Sequence, residues 1–136
     1  MNRSKAPYYG GKKTWVQGVL YDSKLEARMA TLLHKYEIPF TPHVKFEVYD
    51  RQGKPFSYTV DFFLHQPVKF AGIPTIIQCL EVKGILTMHD INRCDALEYR
   101  HHYTTWIVND FWIKMWEREG MFWKEEDRYR LERKKA

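Results

Sequence analysis

The apolar run Ile76-Ile77-Gln78-Cys79-Leu80, with the Glu81-Val82-Lys83-Gly84 that ends it, constrains this chain most. The run reads as a buried strand, and in a strand side chains two residues apart point the same way. Glu81 and Lys83 therefore project side by side where the strand gives way to Gly84. A carboxylate beside an ammonium at a strand end can hold a metal and stabilise an anion. A second acid, Asp61, lies in another strand-like run, Tyr58-Thr59-Val60-Asp61-Phe62-Phe63. On neighbouring strands, Asp61 and Glu81 would bring two hard oxygen ligands together. Mg2+ bound to one or two carboxylates and a substrate phosphate is the chemistry such a pair suits. The Val82 carbonyl is a further candidate ligand, and Lys83 is placed to orient water and offset charge on a phosphate.

The rest of the chain frames these residues. Ser23 to about Tyr36 predicts a helix, because Leu25, Met29, Leu32, Leu33 and Tyr36 form one stripe, Ser23 can cap it and Pro39 follows it. Lys45–Tyr49 and Phe56–Leu64 predict two strands around the turn cluster Asp50-Arg51-Gln52-Gly53-Lys54-Pro55, hence a hairpin. Phe56, Tyr58, Val60, Phe62 and Leu64 are expected on one face, with Asp61 on the other. Residues 65–75 read as a loop, and Ile76–Val82 as the third strand. A helix from about Asp90 to His102, a strand at Thr104–Val108 and helices at Asp110–Glu119 and Trp123–Lys134 complete the pattern. The expectation is an α/β fold with a mixed four-stranded sheet flanked by helices, the fourth strand parallel beside the third. Residues 1–16 form a basic arm, 17–108 the core and 109–136 a helical extension of the same domain.

Glu26 admits two readings. Ser23-Lys24-Leu25-Glu26 has the spacing of a capping box, with Glu26 at its third helical position. Glu26 also shares an azimuth with Leu33, with Met29 and Ala30 flanking it. It borders the buried stripe, where an unpaired carboxylate is costly and a shared metal would relieve the cost.

Charge points to a polyanion. The chain carries a net +5, yet residues 17–116 hold eleven basic and eleven acidic side chains, so the excess lies at the ends. Lys12 and Lys13, in the arm, and Lys24 are the candidate DNA contacts. With 136 residues and 44% hydrophobic content the chain suits one domain with a real core. No apolar run is long enough for a membrane span and no apolar signal region follows the basic start, so a cytoplasmic protein is expected. Cys79 and Cys94 lack metal or disulfide spacing and are expected as reduced thiols. No H-E-x-x-H spacing and no phosphate-cradling glycine loop occurs, which argues against a zinc hydrolase or a nucleotide motor. Trp106, Trp112, Trp116, Trp123, Phe111 and Phe122 make an aromatic-rich end, read as helix packing or a subunit interface.

Glu26, Asp61, Glu81 and Lys83, in this order, resemble the PD-(D/E)XK nuclease superfamily. Tyr21-Asp22-Ser23-Lys24-Leu25-Glu26 is similar to the S-x-L-E helix start of phage-type endonuclease I, a Holliday-junction resolvase. Tyr58-Thr59-Val60-Asp61-Phe62 is similar to that family's Y-T-P-D-F, with Val60 in place of proline, and Leu80-Glu81-Val82-Lys83-Gly84 to its V-E-T-K-G. Transposon-end-cleaving nucleases share much of the pattern. The resemblance spans residues 21–108 and implies a restriction-endonuclease-like core. It implies Mg2+ or Mn2+ on Asp61 and Glu81, Glu26 completing the acidic shell, Lys83 positioning water, and hydrolysis of a DNA phosphodiester. Cutting both strands implies a homodimer or higher homo-oligomer. Branched DNA, a specific duplex sequence and a transposon end all suit such a core as substrates. A DNA-binding module without activity is the alternative of another class. Segment 64–75 reads as an insertion relative to the resolvases, and with the basic arm it is a candidate for base recognition.

Overall fold

The structure, a computed structural model, describes residues 12–123. The chain opens with a hairpin of β1 (Thr14–Val16) and β2 (Val19–Tyr21). Gln17 and Gly18, at φ 46 and 83, both occupy the left-handed region, as a two-residue hairpin turn with matching twist requires. Val16 and Val19 pack against the core. Residues 14–16, expected in the arm, are thus part of the fold; residues 1–11 lie outside the described residues, as does the helix expected at Trp123–Lys134 beyond its first residue.

Helix α1 (Lys24–Lys35) begins on the Ser23 cap, whose Oγ accepts the Glu26 N–H at 3.0 Å. It ends in a Schellman motif. The Glu37 N–H donates to the His34 carbonyl at 3.0 Å and the Ile38 N–H to the Leu33 carbonyl at 2.9 Å, with Glu37 left-handed at φ 57. These two backbone hydrogen bonds stop the helix before Pro39 is reached.

Strands β3 (Phe40–Tyr49), β4 (Pro55–Val68), β5 (Ile77–Val82) and β6 (Thr105–Val108) form one sheet in the order β3-β4-β5-β6. The first three are antiparallel neighbours, and β6 runs parallel to β5 after helix α2 (Met88–His101). Helix α3 (Asp110–Glu119) follows. The β3–β4 turn is organised by Asp50, whose Oδ1 accepts the N–H groups of Gln52 and Lys54 at 2.9 and 2.8 Å. Both hairpin strands run further than their apolar cores suggest, because a long paired partner carries polar residues into the ladder.

The sheet is covered on both faces. α1 and α3 bury Met29, Leu33, Ile113 and Trp116 against Phe62, Leu64, Leu80 and Val82. On the other face Leu97 of α2 packs with Val48, Tyr58, Val60 and Cys79. Arg28 clamps α1 to α3, donating to Glu117 through Nε at 3.0 Å and Nη2 at 2.7 Å, and to Asp110 through Nη1 at 2.7 Å.

Segment 65–75 is not a solvent-borne insertion. β4 continues to Val68, and the loop after it buries Phe70, Ala71 and Ile73. The Ala71 carbonyl accepts the Trp116 indole N–H at 3.0 Å, the Ala71 N–H donates to the Met121 carbonyl at 2.8 Å, and Phe70 lies 5.4 Å from Trp116 between ring centres. Its inner side is core, leaving Pro74, Thr75 and Ile76 exposed. The aromatic-rich end divides likewise: Trp116 is fully buried, whereas Phe111 and Trp123 are each 67% exposed. Cys79 and Cys94 are free thiols, and burial pushes them up to about 12 and about 11. Among the described residues no helix is long and apolar enough to cross a membrane.

Candidate metal centre

Asp61 lies where the β3–β4 ladder breaks. Pro42 pairs with Phe62 and Val44 with Val60, so His43 stands opposite Asp61, yet these two are not paired. His43 has φ 55, a left-handed conformation uncommon for residues other than glycine. The expected single face of β4 also divides here. Tyr58 and Val60 pack under α2, while Phe62 and Leu64 pack under α1. The local distortion lets Asp61 leave the ladder and turn to its neighbours on β5.

Those neighbours make a reciprocal pair. The Val82 N–H donates to Asp61 Oδ2 at 2.8 Å, and the Asp61 N–H donates to Glu81 Oε1 at 3.2 Å. Val82 thus meets the site through its N–H. The other Glu81 oxygen faces cations, with Lys83 Nζ and Arg93 Nη2 each 3.8 Å away. Lys83 also lies 3.5 Å from Asp90 Oδ1, and Arg93 donates to the same oxygen at 2.7 Å while its guanidinium sits 5.0 Å over the Tyr58 ring. Glu81 and Asp90 are buried, and Lys83 keeps 31% of its side chain exposed.

Glu26 reaches the same place from the start of α1. Its N–H is capped by Ser23, but its carboxylate does not close the box on Ser23. Oε1 instead accepts the Asp22 N–H at 3.2 Å and lies 3.7 Å from His43 Nε2. The two readings of Glu26 are compatible: the backbone of the residue completes a cap while its side chain enters the site. Glu26, His43 and Asp61 each offer a ligand atom, all within 4.8 Å of one another. Tyr21, fully buried beside them, has its ring 5.7 Å from that of His43, and its hydroxyl meets no hydrogen-bond partner among the described residues.

The electrostatics follow from packing acids together away from water. Burial pushes the Asp61 carboxyl up to about 9, with the charges of Glu81 and Glu26 acting the same way and the Val82 N–H opposing. Burial also raises Glu81, against Lys83, the Asp61 N–H and Arg93. Asp90 goes the other way. Burial would raise it, but hydrogen bonds from the Thr87 N–H and hydroxyl and from Arg93, with the charge of Lys83, hold it below the usual range. A divalent cation fits this donor set. Carboxylate oxygens packed together away from water would share the ion, and the unpartnered Tyr21 hydroxyl would find an acceptor in a bound water.

The structure therefore brings together Glu26, Asp61, Glu81, Val82 and Lys83, and leaves Lys12, Lys13 and Lys24 exposed near the β1–α1 end. His43, Asp90, Arg93 and Tyr21 join the site without having been singled out in the sequence. His43 sits in a polar–apolar alternation that reads as an ordinary solvent face. Asp90 reads as a helix start, which it is: with Thr87 it forms the capping box of α2. Compared with models of known protein families, with curated proteins and with solved structures, the chain matches none of them.

Proposed function

We propose that this protein is a divalent-metal-dependent DNA endonuclease with a restriction-endonuclease-like core. The observation that carries the reading is the meeting of three carboxylates, Glu26, Asp61 and Glu81, from three separate elements beside Lys83. Asp61, Glu26 and Glu81 would hold Mg2+ or Mn2+. The bound ion would supply a Lewis acid and an activated water for phosphodiester hydrolysis. The order of helix, antiparallel three-strand meander, helix and parallel strand supports the same reading.

The chain's own groups have distinct tasks. Val82 N–H and Asp61 N–H fix the two carboxylates, so the acids are set before any ligand arrives. Lys83, held between Glu81 and Asp90 and partly exposed, places a positive charge where a phosphate would approach. Lys12, Lys13 and Lys24 are exposed cations suited to backbone contact. One such centre cuts one strand, so double-strand cleavage would take a homodimer.

The test is cleavage of a four-way junction, a random linear duplex library and single strands, in Mg2+, in Mn2+ and in EDTA. We expect metal-dependent cutting that Asp61→Ala, Glu81→Ala and Lys83→Ala abolish without unfolding the protein. Cutting of junctions alone marks a resolvase, and one preferred duplex site marks a sequence-specific enzyme. Binding of DNA with no cleavage under any metal would replace the nuclease by a binding module.

A further inference from the structure

His43 is the member of the acid cluster that phosphodiester hydrolysis on Mg2+ does not call for. It lies on β3 opposite Asp61, half-turned out of the ladder at φ 55, and its Nε2 is 3.7 Å from Glu26 Oε1. With Glu26 and Asp61 it completes a set of ligand atoms within 4.8 Å of one another. A second observation points into the same space. The Tyr21 hydroxyl is buried without a partner among the described residues, on a ring that packs against His43. Such a hydroxyl is a donor awaiting an acceptor, which a water or hydroxide on a bound ion would supply.

The donor set decides which ion. Mg2+ takes oxygen ligands and keeps several waters, so an imidazole nitrogen adds little for it. First-row divalent metals accept an imidazole more readily than Mg2+ does, the later ones most of all and Mn2+ least. We infer that His43 is a metal ligand alongside Glu26 and Asp61, and that it makes this centre bind Mn2+ in preference to Mg2+. The inference rests on the proposed metal site, but not on what that site cleaves. A histidine serving only to pair with Glu26 would leave the two metals equally affected by its loss.

The full chain, freed of metal, is titrated with MnCl2 and separately with MgCl2 by calorimetry. Mn2+ bound to protein labelled with 15N-histidine is then examined by pulsed electron paramagnetic resonance. We expect a directly bound histidine nitrogen, tighter binding of Mn2+ than of Mg2+, and in His43→Asn a loss of about tenfold or more in Mn2+ affinity with little change for Mg2+. Asparagine tolerates the left-handed backbone, so this variant retains the turn, and the nitrogen coupling in the unmutated protein needs no variant. Bound Mn2+ without histidine coupling, or equal losses for both metals, overturns the inference. If that protein still cuts DNA with Mg2+, the nuclease reading stands alone. Histidine-bound Mn2+ in a protein that cuts no DNA upholds the metal site and removes the nuclease. A chain that binds neither metal overturns both.

Discussion

Asp61 gives up its place in the β3–β4 ladder and takes partners from β5 instead, and each exchange leaves a carboxylate hydrogen-bonded but under-solvated. A buried acid usually loses its charge or finds a cation. Here Glu81 has cations within 3.8 Å, whereas Asp61 meets mainly other acids. Glu26 is in the better position, because the Asp22 N–H and His43 both face Oε1. That division lets one substitution separate support from chemistry. Glu26→Gln keeps an oxygen for the Asp22 N–H and leaves the Ser23 cap untouched, since the cap uses the residue's backbone. We expect it to melt within about 1 kcal/mol of the unmutated protein. If the proposed metal-dependent cleavage holds, it should fall at least about tenfold, since a neutral amide would replace a proposed ligand. Unaltered cleavage in a folded Glu26→Gln protein would confine this residue to its helix end.

Helix α1 delivers Glu26 because its two ends are both well defined, and the C-terminal end carries a removable strain. Glu37 adopts φ 57 to close the Schellman motif, at an exposed position where glycine pays no such penalty. Glu37→Gly should raise stability by about 0.5–1 kcal/mol in urea unfolding, after the greater freedom of glycine in the unfolded chain is set against relief of strain. A destabilised variant would mean that Glu37 holds contacts beyond its backbone. The loop before β5 tests the opposite sign. A Cβ on Gly72 would lie 2.9 Å from Cζ3 of Trp112 at φ +86, so Gly72→Ala should cost about 1–3 kcal/mol and loosen Trp112 fluorescence. The three described helices and the sheet order were legible in the sequence because stripes, caps and the apolar run at Ile76–Leu80 are local signals. The loop was not, because Phe70, Ala71 and Ile73 follow no period, and only Trp116, 46 residues beyond Phe70 in the chain, gives them something to bury against. The β1–β2 hairpin was hidden by its basic approach, although Val16-Gln17-Gly18-Val19 carries a glycine turn between apolar residues. His43 was illegible for another reason: its place opposite Asp61 depends on the register of the whole β3–β4 hairpin.

The fold as a whole carries a cluster of buried acids that costs stability, and pH exposes that cost. Asp61 has a folded value raised to about 9 from an ordinary 3.8, and burial raises Glu81 as well. Between these limits the native state holds more protons than the unfolded chain, so stability is complete at the acid end and falls as pH rises. Groups that would act oppositely lie outside this window. Asp90 and Asp110 are lowered, so their contributions disappear only below about pH 4. Tyr58, Cys79 and Cys94, raised from ordinary values of 10.0, 9.0 and 9.0, act in the same sense as Asp61 but only above this window. In EDTA, the melting temperature should therefore drop steadily from pH 5 to pH 8.5, as the unfolding free energy falls by at most about 1.4 kcal/mol per pH unit for one proton. Saturating Mn2+ should flatten the profile, because binding to the native state adds stability that grows as the acids lose their protons. Asp61→Asn should flatten it without metal and melt higher than the unmutated protein at pH 8.5, since the amide still accepts the Val82 N–H and carries no charge. A melting temperature in EDTA that climbs over this range, or a slope that Asp61→Asn leaves intact, would mean that the acids share the site without strain and have no need of an ion.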